Sequence, residues 1–300
     1  MRYFLLSVSL GSLGFLVGCA SDANAPGIGS IEQAGVSLNG VSLNGVSLNG
    51  VSLNGVSLNG VSLNGVSLNG TVLAGVTAGG QTVSGTDLVG SQWVGQLSDG
   101  STITLRIDGV TAGSGANADV LSYDVAYQTS AGWSALCGGN AAIPVSGLFD
   151  YRSGVPGGGG FTASSASFTF GCRGAAIAKC VELGYKPWLT IAGVGLGNHM
   201  VACTRLLRAD FCGDGATYTV DGTEVDLYDG LGVQSDTQSW NAEAEWTQDG
   251  ARCVAPGTPS RVQQKVHRVP PCFAHDIDHR CAAPPAFATG TLLASETARP

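Results

Sequence analysis

The sequence predicts a mainly β protein of the α+β class, with a repetitive N-terminal part and a disulfide-rich mixed domain. Three observations support this prediction. Glycine occupies every fifth position from Gly35 to Gly100, a period that neither a helix nor a simple strand has. From residue 91, short runs with alternating apolar residues and two helical patterns take over. Apart from Cys19, all the cysteines lie after residue 136.

The composition restricts the class of protein and of partner. Apolar residues make up 44% and charged residues 12% of the 300 residues, which is not the composition of a disordered chain. The net charge of −8 argues against a nucleic-acid partner, because phosphate binding requires clustered Lys and Arg. The sequence also has no block of like charges of the kind that forms an interaction tail.

Residues 1–18 have the pattern of a leader peptide. Arg2 precedes an apolar run that is too short and too rich in glycine for a secure transmembrane helix. The run ends in Leu16-Val17-Gly18-Cys19, which resembles the bacterial lipobox. This resemblance implies that Cys19 carries a diacylglycerol and, after cleavage before it, an acylated amino group. The alternative is an ordinary secretory signal with a coincidental cysteine.

The residues after the lipobox cysteine indicate in which membrane the protein would be anchored. They are Ala20 and Ser21, without the aspartate that marks inner-membrane retention, so we expect the outer membrane, with the protein facing the periplasm or the cell surface. Residues 19–34 are small and polar and predict a tether. Several acyl chains hold a protein stably where a single chain does not.

An exported protein is exposed to an oxidising compartment, so an even number of cysteines predicts disulfides. Eight cysteines remain after Cys19 is set aside, which predicts four disulfides among 105 connectivities. The sequence leaves the pairing open. These cysteines are Cys137, Cys172, Cys180, Cys203, Cys212, Cys253, Cys272 and Cys281.

Residues 35–90 carry the repeat. VSLNG occurs in seven identical copies up to Gly70, and looser copies follow. The pattern is similar to that of the pentapeptide-repeat family, with Leu38 at the central inward position and Asn39-Gly40 at a corner. The resemblance implies a right-handed quadrilateral β-helix, here a stub of about 14 Å at strand spacing. The alternative is a low-complexity flexible spacer that would span roughly 40 Å.

From residue 91 to residue 281 the pattern is that of a mixed domain. Ile103, Leu105 and Ile107 alternate with polar residues, and Asp99-Gly100 marks a hairpin turn before them. Further strands are expected over 120–128, 161–172, 216–222 and 223–229, and a hairpin over 240–255. Helices are expected over 174–184 and 198–212. We also expect a flexible loop over 154–160 and a disordered tail over 282–300.

In the second helix, apolar spacing predicts which side is buried. Met200, Cys203 and Leu206 share one face with Leu207, so Arg205 and Arg208 are expected to lie outside.

Four separated segments in this domain carry a second resemblance. ADFCGDG (209–215) follows a cysteine-bearing helix, CRGAAIAKCVELGYKPW (172–188) lies upstream, and DGTEVDLYDGLG (221–232) and EWTQDGARC (245–253) lie downstream. Together they resemble the ADYC domain, which is found in exported proteins of myxobacteria and their relatives. Phe211 stands where the family motif has tyrosine. The resemblance covers most of 91–255 and implies no activity, substrate or catalytic residue.

Two cysteine and histidine groups could carry chemistry. Cys272, His275, His279 and Cys281 have the residue types of a zinc site, but a local Cys272–Cys281 disulfide is favoured in an oxidising compartment. Cys212 with His199 would form a nucleophilic pair if the thiol were free. Even pairing of the cysteines argues against a free thiol, and we expect no cofactor.

Carboxylates and tryptophans are the remaining candidates. The acidic set is Asp210, Asp214, Asp221, Glu224, Asp226 and Asp229, which would suit calcium but has no EF-hand spacing, so turn chemistry is favoured. Asp210 is expected to cap backbone amides or to pair with Arg208. Trp188, Trp240 and Trp246 form either a ligand surface or part of the core.

The expected function is that of a lipid-anchored cell-envelope protein with a binding or structural role. Its partners would be the membrane, through the N-terminal lipid, and a protein or glycan of the envelope or cell surface. The alternative is an envelope hydrolase or transferase with a site in the same domain. The oligomeric state stays open.

Overall fold

The computed structural model describes residues 67–76, 80–96, 102–150, 153–165, 167–219, 222–257, 259–264, 269–274, 277–281 and 284–298. The leader over 1–18, the tether over 19–34 and the repeats before residue 67 lie outside the described residues. The predictions for Cys19 and for the β-helix over 35–66 therefore stay predictions.

The end of the repeat forms a small antiparallel sheet. Its strands are β1 (Ser67–Asn69), β2 (Val72–Val76) and β3 (Thr82–Ser84), in that order. Asn69 pairs with Val72 across a two-residue turn, in which Gly70 has a φ of +60°. Because these consecutive strands pair antiparallel, β1, β2 and β3 do not form the stacked parallel coils of the expected β-helix.

A six-stranded antiparallel sheet follows. Its edge-to-edge order is β11-β8-β6-β5-β4, with β7 also paired to β6. The predicted antiparallel pairing of the two strands is confirmed, because Trp93 lies opposite Leu105 in register, while the turn at Asp99-Gly100 lies outside the described residues. The strands are β4 (Gln92–Gln96), β5 (Thr102–Ala112), β6 (Leu121–Thr129), β7 (Gly132–Ala135), β8 (Ala142–Ser146) and β11 (Phe168–Cys172). Between β8 and β11 in the chain, β9 (Leu148–Phe149) and β10 (Phe161–Thr162) form a separate two-stranded sheet.

Both predicted helices are present, as α1 (Ala176–Glu182) and α2 (Gly197–Arg208), and a short α3 (Ser260–Gln264) follows later. A two-residue hairpin, β12 (Thr190–Ile191) with β13 (Val194–Gly195), separates the first two. None of the helices in the described part of the chain is long and apolar enough to span a bilayer.

The C-terminal sheet corrects two predictions. It consists of β14 (Val225–Asp229), β15 (Asn241–Thr247), β16 (Gly250–Val254) and β17 (Leu293–Thr297), in the order β14-β17-β15-β16. The tail predicted to be disordered thus supplies a central strand between β14 and β15. Residues 216–219 form no strand, and β14 pairs with β17 instead of with them. The hairpin around Asp249-Gly250 is confirmed.

The apolar residues form two core clusters. One packs around α1 and α2, with Ile177, Leu206 and Trp246 fully buried. The other includes Trp93 and Leu105 of the large sheet together with Leu73, Val83 and Leu88 from the end of the repeat. These three residues therefore belong to the mixed domain in packing, and the boundary predicted at residue 90 does not separate two cores.

Hydrogen bonds hold the end of the repeat against strand β6. The hydroxyl of Tyr123 donates to the carbonyl of Thr71 at 3.0 Å and accepts the amide of Leu73 at 3.0 Å. The hydroxyl of Thr71 accepts the amide of Leu121 at 2.7 Å. Since Tyr123 and Leu73 are both fully buried, these bonds join the repeat to the domain in a water-excluded place.

We expect the substitution Tyr123→Phe to lower the free energy of unfolding by about 1–3 kcal/mol, because it leaves a buried amide and a buried carbonyl unpaired. Chemical denaturation under oxidising conditions measures this change. The matched control is Tyr127→Phe on the same strand, because the Tyr127 hydroxyl has no hydrogen-bond partner among the described residues. Equal losses in the two variants would contradict the proposed role of the Tyr123 hydroxyl.

Candidate functional site

The eight cysteines of the mixed domain form four disulfides. The pairs are Cys137–Cys172, Cys180–Cys203, Cys212–Cys272 and Cys253–Cys281. The predicted number is confirmed, and the local Cys272–Cys281 bond is wrong. The second bond joins α1 to α2, and the last two attach the segment around residues 272–281 to the rest of the domain. Each Cα–Cα distance lies between 5.2 and 5.9 Å, within the usual range for disulfides.

The cysteine pairing removes the zinc and nucleophile hypotheses. Zinc needs thiolates, whereas Cys272 and Cys281 belong to two different disulfides. His279 lies 2.8 Å from the carbonyl of Phe273, and His275 lies outside the described residues. Cys212 is oxidised as well, so it cannot act as a nucleophile with His199.

His199 is buried in the first turn of α2. Its ring lies parallel to that of Tyr185, with 6.4 Å between the centroids, and its Nδ1 has no hydrogen-bond partner in the described structure. Burial lowers the pKa of His199 below its ordinary value of 6.5, and the charge of Asp229 opposes this shift only in part. The folded protein therefore disfavours the protonated ring.

The carboxylates predicted to act in turns do so. Asp229 accepts the amides of Leu231 at 2.6 Å, Val233 at 3.2 Å and Gln234 at 2.9 Å. The hydroxyl of Tyr185 adds a fourth bond to the same carboxylate at 2.8 Å. Backbone amides thus occupy the oxygens that a calcium ion would use.

Asp226 and Asp214 act in the same way. Asp226 accepts the amides of Thr237 and Gln238, each at 2.8 Å, and Asp214 accepts the amide of Ala216 at 2.9 Å. Glu224 is exposed, and Asp221 lies outside the described residues. Asp214, Asp226 and Asp229 therefore each stabilise a separate turn.

The ADFC segment is where α2 ends. Ala209 takes the left-handed conformation, with a φ of 53°, and closes the helix. The next carboxylate, Asp210, is fully buried and accepts the amides of Asp214 and Gly215, each at 3.1 Å. Its Oδ2 also lies 2.5 Å from Nη1 of Arg205. The predicted capping role is confirmed, and the hydrogen-bonded ion-pair partner is Arg205.

The two arginines of α2 are buried, not exposed as predicted. Arg205 also donates to the carbonyl of Gln248 at 2.5 Å and to that of Gly158 at 3.1 Å, while Arg208 donates to the carbonyl of Gly215 at 2.5 Å. Burial raises the pKa of the Asp210 carboxyl, and the charges of both arginines oppose that shift. The pair is thus the centre of a network that joins α2 to three loops.

The aromatic residue of the motif is part of the core. Phe211 is fully buried, 5.1 Å from the ring of Trp246 and 5.3 Å from that of Phe273 between centroids. Trp246 belongs to the same core, which favours the packing interpretation for this tryptophan. Trp188 is partly buried and packs against this same core cluster, and a Cβ at Gly70 would lie 3.4 Å from its Nε1, so the packing interpretation is favoured for Trp188 too.

A polar cleft of about 220 Å³ lies between the β5–β6 turn and helix α1. Ser114, Asn117 and Ser122 line one side, and Arg173 and Glu182 line the other. Nε of Arg173 lies 2.7 Å from Oε1 of Glu182. Asn117 donates from Nδ2 to the carbonyl of Glu182 at 2.8 Å, while its Oδ1 is buried without a hydrogen-bond partner in the described structure.

The turn that forms one wall of this cleft is held tightly. The amide of Gly113 donates to the carbonyl of Val120 at 2.7 Å, and a Cβ at Gly113 would lie 2.2 Å from the carbonyl oxygen of Asn117. Buried Lys186 donates to the carbonyl of Ala116 at 2.9 Å and pairs with Asp119 in the same turn. The cleft therefore has a preformed shape. Sequence reasoning missed it, because no spacing pattern connects Ser122 with Arg173 and Glu182.

Comparisons with known protein families agree with the sequence patterns. Residues 85–259 match the model of the ADYC domain, and residues 34–77 match that of pentapeptide repeats, in eight copies. Neither the curated proteins nor the solved structures contain a match to this chain.

Replacement of Asp210 by Asn should lower the free energy of unfolding by about 3–5 kcal/mol, because the buried guanidinium of Arg205 loses its counter-charge. Denaturant titration of the oxidised chain measures the loss. The control is Asp108→Asn, which breaks the exposed pair with Arg106 and should cost less than about 1 kcal/mol. A loss for Asp210→Asn no larger than that of the control would refute the central role of the pair.

A second prediction concerns pH. An unfolded histidine binds a proton below pH 6.5, and folded His199 resists it, so stability should fall as the pH drops from about 6.5 toward the lowered folded pKa. The slope contributed by one such group is at most about 1.4 kcal/mol per pH unit. The free energy of unfolding, measured by denaturation from pH 8 to pH 5, should show this slope in the wild type and in the exposed control His279→Gln. The slope should be smaller in His199→Gln. An unchanged slope in His199→Gln would show that other groups cause it.

Proposed function

The chain belongs to the ADYC domain family, whose model covers more than half of its 300 residues, and on that premise we propose that it is a lipid-anchored cell-envelope protein with an ADYC domain that acts as a binding module. The observation that carries the proposal is the complete pairing of the eight cysteines of this domain. Such pairing fits an exported protein and leaves none of these thiols for catalysis.

The N-terminal sequence supports the anchor. Residues 1–18 have the features of a leader, and the lipobox-like end places Cys19 where a diacylglycerol would be attached. With the aspartate of inner-membrane retention missing after Cys19, the proposed location is the outer membrane, with the domain on its periplasmic or outer side.

The repeat between anchor and domain would act as a spacer. It has no charged residue and no cysteine from residue 35 to residue 86, so it offers no reactive group. Its last copies pack into the domain core through Leu73, and Tyr123 holds them by hydrogen bonds. A spacer joined in this way would transmit a defined orientation to the domain.

A binding role is favoured by how the polar groups are used. The buried charges of Arg205, Asp210, Arg261 and Glu243 pair with one another and with backbone groups inside the domain. By contrast, the cleft at Arg173 and Glu182 places charged and hydroxyl groups where a small molecule can reach them. Preformed clefts with a few convergent polar groups are typical of ligand sites.

The variant Cys19→Ser tests the anchor. Expressed in a Gram-negative host, the wild type should yield an N-terminal peptide that begins at Cys19 and carries acyl chains, and should remain with the membrane fraction. The variant should carry no lipid, because serine lacks the thiol that accepts the diacylglycerol. Mass spectrometry of the N-terminal peptide and membrane fractionation measure both results.

The neighbouring variant Ser21→Ala keeps the lipobox-like residues and serves as the control, with lipid attachment like that of the wild type. A wild-type N-terminal peptide without acyl chains would refute the anchor. A thiol titration of the denatured, unreduced chain should detect none of the eight cysteines after residue 136. A reactive thiol among them would instead support an enzyme.

A further inference from the structure

We propose that the polar cleft between the β5–β6 turn and α1 binds one pyranose ring, the terminal sugar of an envelope glycan. This inference rests on the proposed binding role and adds the class of ligand. The carrying observation is the set of side chains in the cleft, which includes both donors and acceptors and in which the charges of Arg173 and Glu182 cancel.

The charge of the cleft argues for a neutral ligand. Arg173 and Glu182 are 2.7 Å apart and neutralise each other, so no net charge is left to hold an ion. The whole chain carries a net charge of −8, which disfavours anions further. A neutral polar molecule can bind to Arg173 and Glu182 without breaking the ion pair between them.

The remaining hydrogen-bonding groups match vicinal hydroxyls. The ion pair uses Nε of Arg173 and Oε1 of Glu182, which leaves the terminal guanidinium N–H groups as donors and Oε2 as an acceptor. Because each sugar hydroxyl both donates and accepts, neighbouring hydroxyls can bond to such adjacent groups. The hydroxyl of Ser114, which has no hydrogen-bond partner among the described residues, adds a group of both kinds.

Asn117 supplies a second, independent observation. Its Oδ1 is a buried acceptor without a hydrogen-bond partner in the described structure, and an unpaired buried acceptor is unfavourable. Its Nδ2 is held by the carbonyl of Glu182, so the orientation of the amide is defined. Because Asn117 lines the cleft, a ligand hydroxyl could donate to Oδ1 once a small movement of the cleft wall admits it.

Size restricts the ligand to one ring. A volume of about 220 Å³ corresponds to roughly seven water molecules, less than a drug-sized ligand needs. Val120 and Ile143 complete the lining and offer apolar contact to the C–H groups of a ring. None of the described residues that line the cleft is aromatic and could stack on the ring, so the dissociation constant should be on the order of 1 mM.

Ligand-observed saturation-transfer NMR on the purified full chain in detergent, with its disulfides intact, tests the proposal. The probes are the methyl glycosides of glucose, galactose and N-acetylglucosamine. Tetrahydropyran, which is the same ring without hydroxyls, and alanine, which is a zwitterion, serve as comparison molecules. At least one glycoside should bind in the millimolar range, with the same affinity at low and high salt.

Two variants locate the binding. Arg173→Gln and Glu182→Gln should each weaken the glycoside roughly tenfold, because each removes a charge-assisted hydrogen bond. The matched control is Arg106→Gln, which breaks a similar ion pair with Asp108 on strand β5 and should leave the affinity unchanged. Both side chains of the cleft pair are partly exposed, so these variants are expected to fold.

Several results would overturn the proposal. The first is that none of the glycosides binds. The second is that tetrahydropyran or alanine binds as tightly as the sugars. The third is that Arg173→Gln and Arg106→Gln weaken glycoside binding equally. The NMR measurement does not depend on the lipid, and the mass of the N-terminal peptide does not depend on the cleft. Failure of the sugar site and failure of the anchor are therefore distinguishable.

Discussion

The buried ion pair between Arg205 and Asp210 is the interaction on which the arrangement of the mixed domain depends. Through it the end of α2 is joined to the glycine-rich loop at Gly158, to the β15–β16 turn at Gln248 and to the turn at Gly215. A buried pair of this kind adds little net stability compared with an apolar core, but loss of one partner leaves a charge that the interior cannot solvate. The role of the pair is to restrict α2 and these loops to one arrangement.

The neighbouring features extend the same constraint. Phe211 follows the carboxylate into the aromatic core, and Cys212 then bonds to Cys272, which attaches a segment sixty residues away. A second buried pair, Arg261 with Glu243, is completed by Ser295 on the C-terminal strand. Motif, disulfide and last strand are therefore parts of one packed unit. The motif that identifies the family has a structural role here.

This division of roles gives the functional proposal its form. Inside the domain, the charges of Arg205 with Asp210 and of Arg261 with Glu243 are paired, whereas at the cleft beside α1 charged and hydroxyl groups are left accessible. The end of the repeat is packed against the domain through Leu73 and Tyr123. Anchor, spacer and binding surface would thus occupy successive parts of the chain, and each can be tested alone.

The sequence by itself determined the features that depend on neighbouring residues. These are the hairpin before Leu105, the hairpin around Asp249-Gly250, the two helices, and the capping role of Asp210, because period and turn chemistry are local properties. Even the number of disulfides followed from counting. Only the tertiary structure decided the cysteine pairing, the burial of Arg205, the insertion of β17 between β14 and β15, and the cleft. Each of these joins residues far apart in the chain, and contacts of that kind leave no periodic signal in a single sequence.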